Sequence, residues 1–394
     1  MDFGWSPEEE EFRQRVRQVL REELPDGWLQ SVGEAEDGDA RSRFEAEFAR
    51  NMGRRGWLTV GWPEEFGGMG WTPLQQMIFN EEMALSKAPR KHMAAGVTLS
   101  GPVIMLHGSD EQKKRFLPPI AKGEVIWCQL FSEPDAGSDL ASLQTRAEEM
   151  GDFFLVNGQK TWTSQGHEAQ WGLMLARTDP EAPKHKGLSY FLVDMTLPGI
   201  TSRPIINMAD VHHFNEFFFD NVRIPRDCLV GEKNRGWYLA TTTLNFERSG
   251  IRATVPAMQL FDEIVAFAKE GRDGFRPLQA NPELRHKLAD MAIQLHTSRL
   301  LSYRVGWLQS SGAPPSHESS VSRLFATELT QRLVQLGMET LGLWAQPTEN
   351  SSQSVLHGKV QKLYRGQRAI TIGAGTSEIQ RNTIAMRGLG LPRG

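Results

Sequence analysis

The hydrophobic pattern divides the chain into helices, a β part and helices again. Apolar residues follow helical spacing up to about residue 123, with Phe12 and Val16 on one face of the first helix. From Val125 to Ile224 apolar and polar residues mostly alternate, as in half-buried strands. Helical spacing returns after Asn234. Short strands over about a hundred residues predict a small barrel or sandwich between two helical regions.

Capping and turn residues mark the predicted ends of these elements. Ser6 and Thr72 each precede a proline and suit the N-cap of a helix. Ser109 with Gln112 forms a capping-box pattern at the start of another helix. Asn157-Gly158 lies between two strand-like runs, and this pair predicts a hairpin turn there.

Composition excludes several classes of protein. The net charge is −4 and the lysines and arginines are spread along the chain, so we expect no nucleic-acid partner. Cys128 and Cys228 form neither a zinc pattern nor a disulfide framework, and they fit a reducing cytoplasm. No apolar run approaches the roughly 18 to 20 residues that span a bilayer. We therefore expect a cytoplasmic enzyme or binding protein without a membrane partner or a metal site.

A polar loop and a tryptophan form the first pair of candidate site segments. Residues 129–138 read QLFSEPDAGS, and their N–H and hydroxyl groups could face a phosphate or a polar ring. Trp162, with the hydroxyls of Thr163 and Ser164, is predicted near this loop and could form a wall for a heteroaromatic ring. Taken alone, an ordinary surface turn and a core tryptophan are the alternatives.

A glutamate on an apolar helix face is the candidate general base. Glu247 precedes Ile251 by four residues and Val255 by eight, so the three share one face. A carboxylate there is costly unless it is paired, and burial would raise its pKa towards the range that a general base needs. The neighbouring Arg248 could bind a substrate or another helix. A structural Glu–Arg pair is the alternative.

The last candidate segment is the glycine-rich turn Gly373–Glu378 before a helix. Its glycines would let a ligand approach the backbone, and the helix N-terminus would favour an anion. A glycine C-cap followed by a threonine N-cap without a ligand is the alternative. His212 and His213 are adjacent in a polar turn, where exposed histidines are more common than a metal site.

Five motifs together resemble the acyl-CoA dehydrogenase family over nearly the whole length of the chain. They are SEPDAGSD at 132–139, NGQKTWTS at 157–164, FNEFFFDNVRIP at 214–225, LVGEKNRGW at 229–237 and GAGTSEIQRNTIA at 373–385. The resemblance implies an α+β multidomain fold. It comprises an N-terminal α-helical domain (1–123), a middle β-barrel (124–232) and a C-terminal four-helix bundle (233–394). FAD would lie between barrel and helices of a homotetramer, with a homodimer or a mixed tetramer as alternatives.

The resemblance assigns site residues by position. The implied FAD contacts are Gln129, Leu130, Phe131, Ser132, Gly137, Ser138, Trp162, Thr163, Ser164, Arg272, Glu339, Gly342, Thr376, Ser377 and Glu378. The implied substrate contacts are Ser138, His185, Lys186, Tyr238, Asn245, Arg248, Ala374 and Gly375. Arg272 matches a family arginine that grips the pyrophosphate of a neighbouring subunit's FAD, in a loosely fitting motif. Glu339-Thr-Leu-Gly-Leu343 departs from the family's glutamine and double-glycine turn.

The resemblance also selects the catalytic base. Many members place a glutamate where this chain has Ala374, so a base at that position is excluded. Isovaleryl-CoA and long-chain members place it in a Leu-x-x-Glu-Arg helix motif, which here gives Glu247. Glu247 would remove an α-proton of an acyl-CoA while the β-hydrogen leaves as hydride to the flavin. The Ala374 N–H and an FAD hydroxyl would hold the thioester oxygen.

The implied product is a trans-2-enoyl-CoA, and electrons would pass to an electron-transfer flavoprotein. An acyl-CoA oxidase, a flavin monooxygenase of the same fold and an FAD-binding structural subunit of a mixed tetramer are the competing functions. The motifs do not choose among long, branched and ring-bearing acyl groups.

Overall fold

The structure, a computed structural model, describes residues 4–28, 38–246, 251–270, 278–313 and 315–392. Its helices are α1 (Pro7–Glu23), α2 (Gly38–Arg54), α3 (Pro73–Leu85), α4 (Gly101–His107), α5 (Asp110–Ala121), α6 (Gly236–Phe246), α7 (Ile251–Glu270), α8 (Pro282–Ser310), α9 (Glu318–Leu341), α10 (Lys359–Gly366) and α11 (Ser377–Thr383). Its strands are β1 (Trp127–Leu130), β2 (Arg146–Glu149), β3 (Phe153–Ser164), β4 (Trp171–Arg177), β5 (Leu188–Asp194), β6 (Ile200–Ile206), β7 (His212–Pro225) and β8 (Leu229–Val230). Among the described residues, no helix has the length and apolarity needed to cross a membrane.

The contacts of the chain group its residues into two compact units. Unit 1 comprises Met1–Ala35, Trp71–Ala88 and Arg248–Gly394, and unit 2 comprises Glu36–Gly70 and Pro89–Glu247. The N-terminal helices are therefore divided between the two units. Helices α1 and α3 belong to unit 1, and α2, α4 and α5 belong to unit 2. The linear pattern, which groups all five helices, contains no sign of this division.

Unit 2 is built on one eight-stranded sheet, which confirms the predicted β domain. The strand order is β6-β7-β3-β2-β4-β5-β8, and β1 pairs with β4 in parallel. The central strands β4 and β5 are buried almost throughout, because α4, α5 and α6 add apolar side chains to the same core. Because both faces of these strands are buried, their sequences are nearly continuous apolar runs rather than alternating apolar and polar residues.

The predicted hairpin at Asn157-Gly158 is wrong. The strand β3 continues through this pair, and the antiparallel turn between β2 and β3 lies at residues 150–152. A register shift follows Val156, and a Cβ on Gly158 would lie 2.6 Å from Thr145 Oγ1. Gly158 therefore lies in a β-bulge rather than in a turn, and its missing side chain allows the segment around Thr145 to approach closely.

The predicted helix caps are confirmed. The side chains of Ser6, Thr72 and Ser109 each accept a hydrogen bond from the backbone N–H three residues later, at 3.2 to 3.3 Å. In each case the side-chain oxygen of that later residue accepts a hydrogen bond from the backbone N–H of the capping residue. These reciprocal bonds satisfy backbone donors that a helix start otherwise leaves without partners.

Unit 1 is a set of packed helices that confirms the predicted C-terminal helical domain. The helices α7, α8 and α9 contact one another, and α3 packs against α7 and α8. Leu260, Ile264, Leu288, Leu333 and Val334 form part of their shared apolar core. These residues recur at helical spacing on each helix, so burial of one face holds the set together.

A buried ionic network joins α1, α3 and α8 within unit 1. Glu81 is 1% exposed, and its carboxylate accepts hydrogen bonds from Arg13 Nη1 at 2.8 Å, Arg299 Nε at 2.8 Å and Tyr303 OH at 2.7 Å. The adjacent Glu82 accepts a further bond from Arg13 at 2.6 Å. Two carboxylates on one helix are thus balanced by cations from the two neighbouring helices.

This network keeps Glu81 ionised. Burial by itself would raise the pKa of Glu81, but the hydrogen bonds from Arg13, Arg299 and Tyr303 outweigh burial and lower it below its usual value. A folded-state pKa below the unfolded value contributes stability above the unfolded pKa. That contribution is lost as the pH falls through the folded pKa.

We expect Glu81→Gln to lower the free energy of unfolding by about 3 to 5 kcal/mol at neutral pH, because the buried Arg13 and the part-buried Arg299 each lose an anionic partner. The difference from the wild type should shrink as the pH falls from the ordinary glutamate pKa of 4.5 through the lower folded-state pKa of Glu81, because the wild-type carboxylate then becomes protonated as well. Urea titrations followed by tryptophan fluorescence at several pH values measure both effects.

The exposed Glu10, whose Oε2 lies 3.6 Å from Arg13 Nε, provides the control. Glu10→Gln should change stability by less than about 1 kcal/mol. Equal losses in the two variants, or a Glu81→Gln loss that does not vary with pH, would contradict the assignment.

Candidate functional site

Near the end of strand β3 the alternation of buried and exposed side chains changes phase. Phe154, Val156 and Lys160 are buried, as alternation requires. A register shift then falls between Lys160 and Thr163, and from this stretch onward the buried side chains are those of Thr161 and Thr163. An extra residue in a ladder moves alternate side chains to the opposite face.

This exchange brings Trp162 and Ser164 to one exposed face of the sheet. Trp162 is 59% exposed, has a φ of +60° and contacts the ring of Phe214 edge-on at 5.9 Å. A bulky residue with positive φ is strained, and such strain is concentrated at ligand sites. The Thr163 side chain lies inside, and its hydroxyl has no hydrogen-bond partner among the described residues. Thr163 could thus meet a ligand on the exposed face only through its backbone.

The polar loop after β1 lies beside the end of β3. The backbone N–H of Thr161 donates to Ser132 O at 2.9 Å, and Lys160 Nζ donates to Phe131 O at 3.0 Å. The loop and the end of β3 are therefore neighbours, as the sequence predicted. Exposure varies among the predicted FAD contacts: Leu130 and Phe131 are buried, Gln129 and Ser132 are half-buried, and Gly137 and Ser138 are exposed.

A second cluster in unit 2 contains predicted substrate contacts. Lys184 Nζ lies 2.8 Å from the carboxylate of Asp139, which brings its loop to the end of the polar loop. The next residue, His185, contacts the ring of Trp237 edge-on at 4.9 Å. Tyr238 follows Trp237 and is 41% exposed. The predicted substrate residues that belong to this cluster or adjoin it along the chain are Ser138, His185, Lys186 and Tyr238.

A pocket in unit 1 contains predicted contacts to the adenine nucleotide. Its volume is about 690 Å³, and one wall is the polar face of α9. Arg332 and Arg368 supply its cations, and Glu339 lies 3.6 Å from Lys287 Nζ. The lining residues are Glu328, Gln331, Arg332, Gln335, Leu336, Glu339, Arg368, Thr371, Ile372, Thr376, Ser377 and Glu378. Sequence reasoning missed Gln331, Arg332, Gln335 and Arg368, although Arg332, Gln335 and Glu339 follow the helical spacing of one polar face.

The glycine-rich turn before α11 has two residues in the left-handed region. Ala374 has a φ of +51° and Gly375 a φ of +94°. Thr376 caps α11, because its side-chain oxygen accepts a hydrogen bond from the backbone N–H of Ile379 at 3.2 Å. Gly342, another predicted FAD contact, ends α9 with a φ of +56°. Left-handed backbone of this kind favours glycine, which stands at two of these three positions.

Four predicted residues cannot be placed as side chains. Glu247, Arg248 and Arg272 lie outside the described residues. Asn245 belongs to α6, but only its backbone is described. The catalytic and pyrophosphate assignments for these positions stay predictions.

The histidines near β7 form a hydrogen-bonded group. His167 and His212 stack with ring centroids 4.0 Å apart, and the side chain of Asn215 lies within hydrogen-bond distance of both rings. Burial, with the neighbouring His212, lowers the pKa of His167. In the part of the chain that is described, no group of three potential metal ligands occurs.

Comparison with known proteins covers the whole chain. Three domain families match: acyl-CoA dehydrogenase N-terminal domain at residues 6–124, middle domain at 128–222 and C-terminal domain at 234–389. Acyl-CoA dehydrogenase FadE26 of Mycobacterium tuberculosis is 34% identical over 400 residues, covering 100% of this chain and 99% of the relative.

Two solved structures share the fold. The ChsE4-ChsE5 complex from Mycobacterium tuberculosis contains a chain with a TM-score of 0.88 and 34% identity, with 100% of both chains covered. The Tcur3481-Tcur3483 steroid ACAD contains one with a TM-score of 0.88 and 32% identity, at the same coverage. This chain therefore belongs to the acyl-CoA dehydrogenase family, whose members are FAD flavoproteins and oxidoreductases acting on CH–CH bonds.

Proposed function

We propose that this chain binds FAD and oxidises an acyl-CoA thioester to the trans-2-enoyl-CoA, with an electron-transfer flavoprotein as electron acceptor. The observation that carries the proposal is Trp162, whose backbone is strained and whose aromatic ring is exposed near Ser164 and the polar loop. A soluble protein gains nothing in stability from an exposed indole held at positive φ. A flat ligand that covers the indole accounts for the arrangement.

The residues of unit 2 fit the flavin ring. Trp162 offers an aromatic surface, Ser164 a hydroxyl, and Gly137 and Ser138 exposed backbone and hydroxyl groups. Heteroaromatic rings are held by this combination of a flat apolar surface with a few hydrogen-bonding groups. The buried Thr163 hydroxyl, which has no hydrogen-bond partner among the described residues, lies one residue from both outward side chains.

The pocket of unit 1 fits the adenine-nucleotide half of an FAD molecule. Arg332 and Arg368 provide positive charge for phosphates, and Thr376 and Ser377 provide hydroxyls. Glu339 brings a negative charge into the same pocket, but Lys287 lies near its carboxylate. We therefore assign phosphate binding to Arg332 and Arg368. We do not assign it to the C-terminal end of α9, where Glu339 stands in place of the family's glutamine.

The proposed chemistry needs a base and a hydrogen-bond donor from this chain. Glu247 takes the α-proton of the acyl group, which is a weak acid until negative charge can move to the thioester oxygen. The Ala374 N–H stabilises that developing charge, an interaction typically worth about 3 to 4 kcal/mol per donor. Bound FAD supplies the two-electron acceptor for the β-hydrogen.

For the substrate, we propose a bulky, ring-bearing acyl-CoA. A base in the Leu-x-x-Glu-Arg motif is associated in the family with long, branched and ring-bearing acyl groups. The Tcur3481-Tcur3483 relative, named a steroid ACAD, is 32% identical over this whole chain. This likeness favours the ring-bearing class over short straight chains.

For the assembly, we propose a complex of this chain with a related second subunit. One solved structure is named as the complex of ChsE4 with ChsE5, and the name of the other joins Tcur3481 and Tcur3483. The departure at Glu339 from the family's glutamine supports unequal subunits, since a neighbour's contribution to FAD binding then need not come from an identical chain. A homotetramer is the alternative, and the mass of the purified protein distinguishes the two.

We expect Glu247→Gln to retain FAD while the rate of flavin reduction by an acyl-CoA falls by about 10²- to 10⁴-fold, because the amide cannot accept the α-proton. Stopped-flow absorbance of the bound flavin, with a panel of ring-bearing, branched and straight acyl-CoAs, measures this rate. Steady peroxide formation by the wild type in air would instead favour an oxidase.

The control for this variant is Glu270→Gln at the exposed end of α7. The flavin bound to this variant should be reduced by an acyl-CoA as fast as the flavin of the wild type. Full reduction of the Glu247→Gln flavin at the wild-type rate would remove Glu247 from the role of base.

We expect Gly137→Ala to leave the stability of the apoprotein within about 0.5 kcal/mol of the wild type, since a Cβ there meets no atom within 4 Å. The affinity for FAD should fall about tenfold, because the methyl group enters the proposed ligand space. Urea unfolding of the apoprotein and fluorescence titration with FAD give the two values.

Gly158→Ala is the opposite case, because its Cβ would lie 2.6 Å from Thr145 Oγ1 within the protein. It should destabilise the apoprotein itself. A Gly137→Ala protein that binds FAD as tightly as the wild type would place the flavin elsewhere.

A further inference from the structure

A buried lysine lies directly behind the proposed flavin face. Lys160 on β3 is 0% exposed, although lysine is rarely buried without a partner. Its ammonium group donates to Glu133 Oε1 at 2.8 Å and to Phe131 O at 3.0 Å. Both acceptors belong to the polar loop after β1, so one side chain connects β3 to that loop.

Glu133 closes the loop from the other side. Its carboxylate accepts the backbone N–H groups of Gln144 at 2.6 Å and Thr145 at 2.9 Å. Its own backbone exchanges two hydrogen bonds with Ala136, at 3.0 and 3.1 Å. Glu133 thereby fixes the tight turn that precedes the exposed Gly137 and ties the loop to the start of β2.

The pair is charged near neutral pH. Burial lowers the pKa of Lys160 to about 8, which still leaves the ammonium protonated at pH 7. Burial alone would raise the pKa of Glu133, but the Lys160 ammonium and the hydrogen bonds to its carboxylate hold it below its usual value. Two opposite charges inside the protein bind each other strongly, and removal of either leaves the other uncompensated.

The position of the pair distinguishes it from an ordinary core contact. Lys160 is separated from Trp162 by one residue, and the register shift that turns Trp162 outward begins at Lys160. Phe131, whose carbonyl Lys160 binds, precedes Ser132, and Ser132 accepts a hydrogen bond from Thr161. The two walls of the proposed ring site are therefore joined through this pair and the adjacent backbone bond.

We propose that Lys160 and Glu133 are positioning residues for the flavin ring, which hold the polar loop and Trp162 at the separation that the ring requires. Neither side chain touches the ligand, and their effect is transmitted through the loop backbone and through β3. This inference rests on the proposed binding of FAD to unit 2. According to this inference, the pair determines the affinity for FAD and the spectrum of the bound flavin as well as the stability of the protein.

The test uses Lys160→Met, Glu133→Gln and the double variant, each purified with FAD. Methionine nearly matches the length of lysine but carries no charge. Val156→Ala, on the same strand and 0% exposed, is the matched control for a loss of core stability without a change at the loop. The measurements are the dissociation constant for FAD, the visible spectrum of the bound flavin, and the unfolding temperature of the apoprotein.

We expect each single charge variant to weaken FAD binding about tenfold or more and to shift the flavin absorption bands, at a temperature where the apoprotein is folded. Val156→Ala should lower the unfolding temperature by a similar amount with FAD affinity within about twofold of the wild type. In the double variant the unfolding temperature should recover, because no unpaired charge remains, while FAD binding stays weak.

The inference is overturned if, at equal loss of stability, the charge variants bind FAD and show its spectrum as Val156→Ala does. The double variant carries the same test if a single variant fails to fold. A wild-type protein that binds no FAD would overturn the proposed function first, and the inference with it, so the two failures are distinguishable.

Discussion

The opposite charges of Lys160 and Glu133, buried together behind the sheet surface, are the interaction on which the candidate site depends. The ammonium holds the end of β1, and the carboxylate holds the start of β2. Three consecutive segments of unit 2 are thus fixed by two side chains, while the polar groups that face outward are left free for a ligand. Charges in this position are costly alone and stable as a pair, so the loop has one favoured geometry.

The order of domains and the helix starts could be predicted from the sequence because they depend on local information. Ser6, Thr72 and Ser109 act on backbone groups three residues away, and the period of the apolar residues needs no knowledge of distant parts. Contacts across the chain could not be predicted this way. Gly158 resembles a turn residue until Thr145 is seen beside it, and Lys160 resembles a surface lysine until its partner is known.

The candidate site shows the same contrast. The motif NGQKTWTS predicts site roles for Trp162 and Ser164, and both lie exposed, whereas Thr163 between them is buried because of an irregularity that alternation cannot reveal. Residue type alone excludes a base at Ala374, and the structure adds that its backbone adopts a left-handed conformation beside Gly375. The division of the helices between two units depends on packing partners and has no local signal.

The register shift in β3 also limits how this protein can change in evolution. Side chains on either wall can be replaced one at a time, and the sheet will still fold around them. Insertion or deletion of a single residue between Lys160 and Trp162 would instead invert every position that follows, so that the indole entered the core and Thr163 reached the surface. The length of this stretch is therefore as much a part of the candidate site as the identity of its residues.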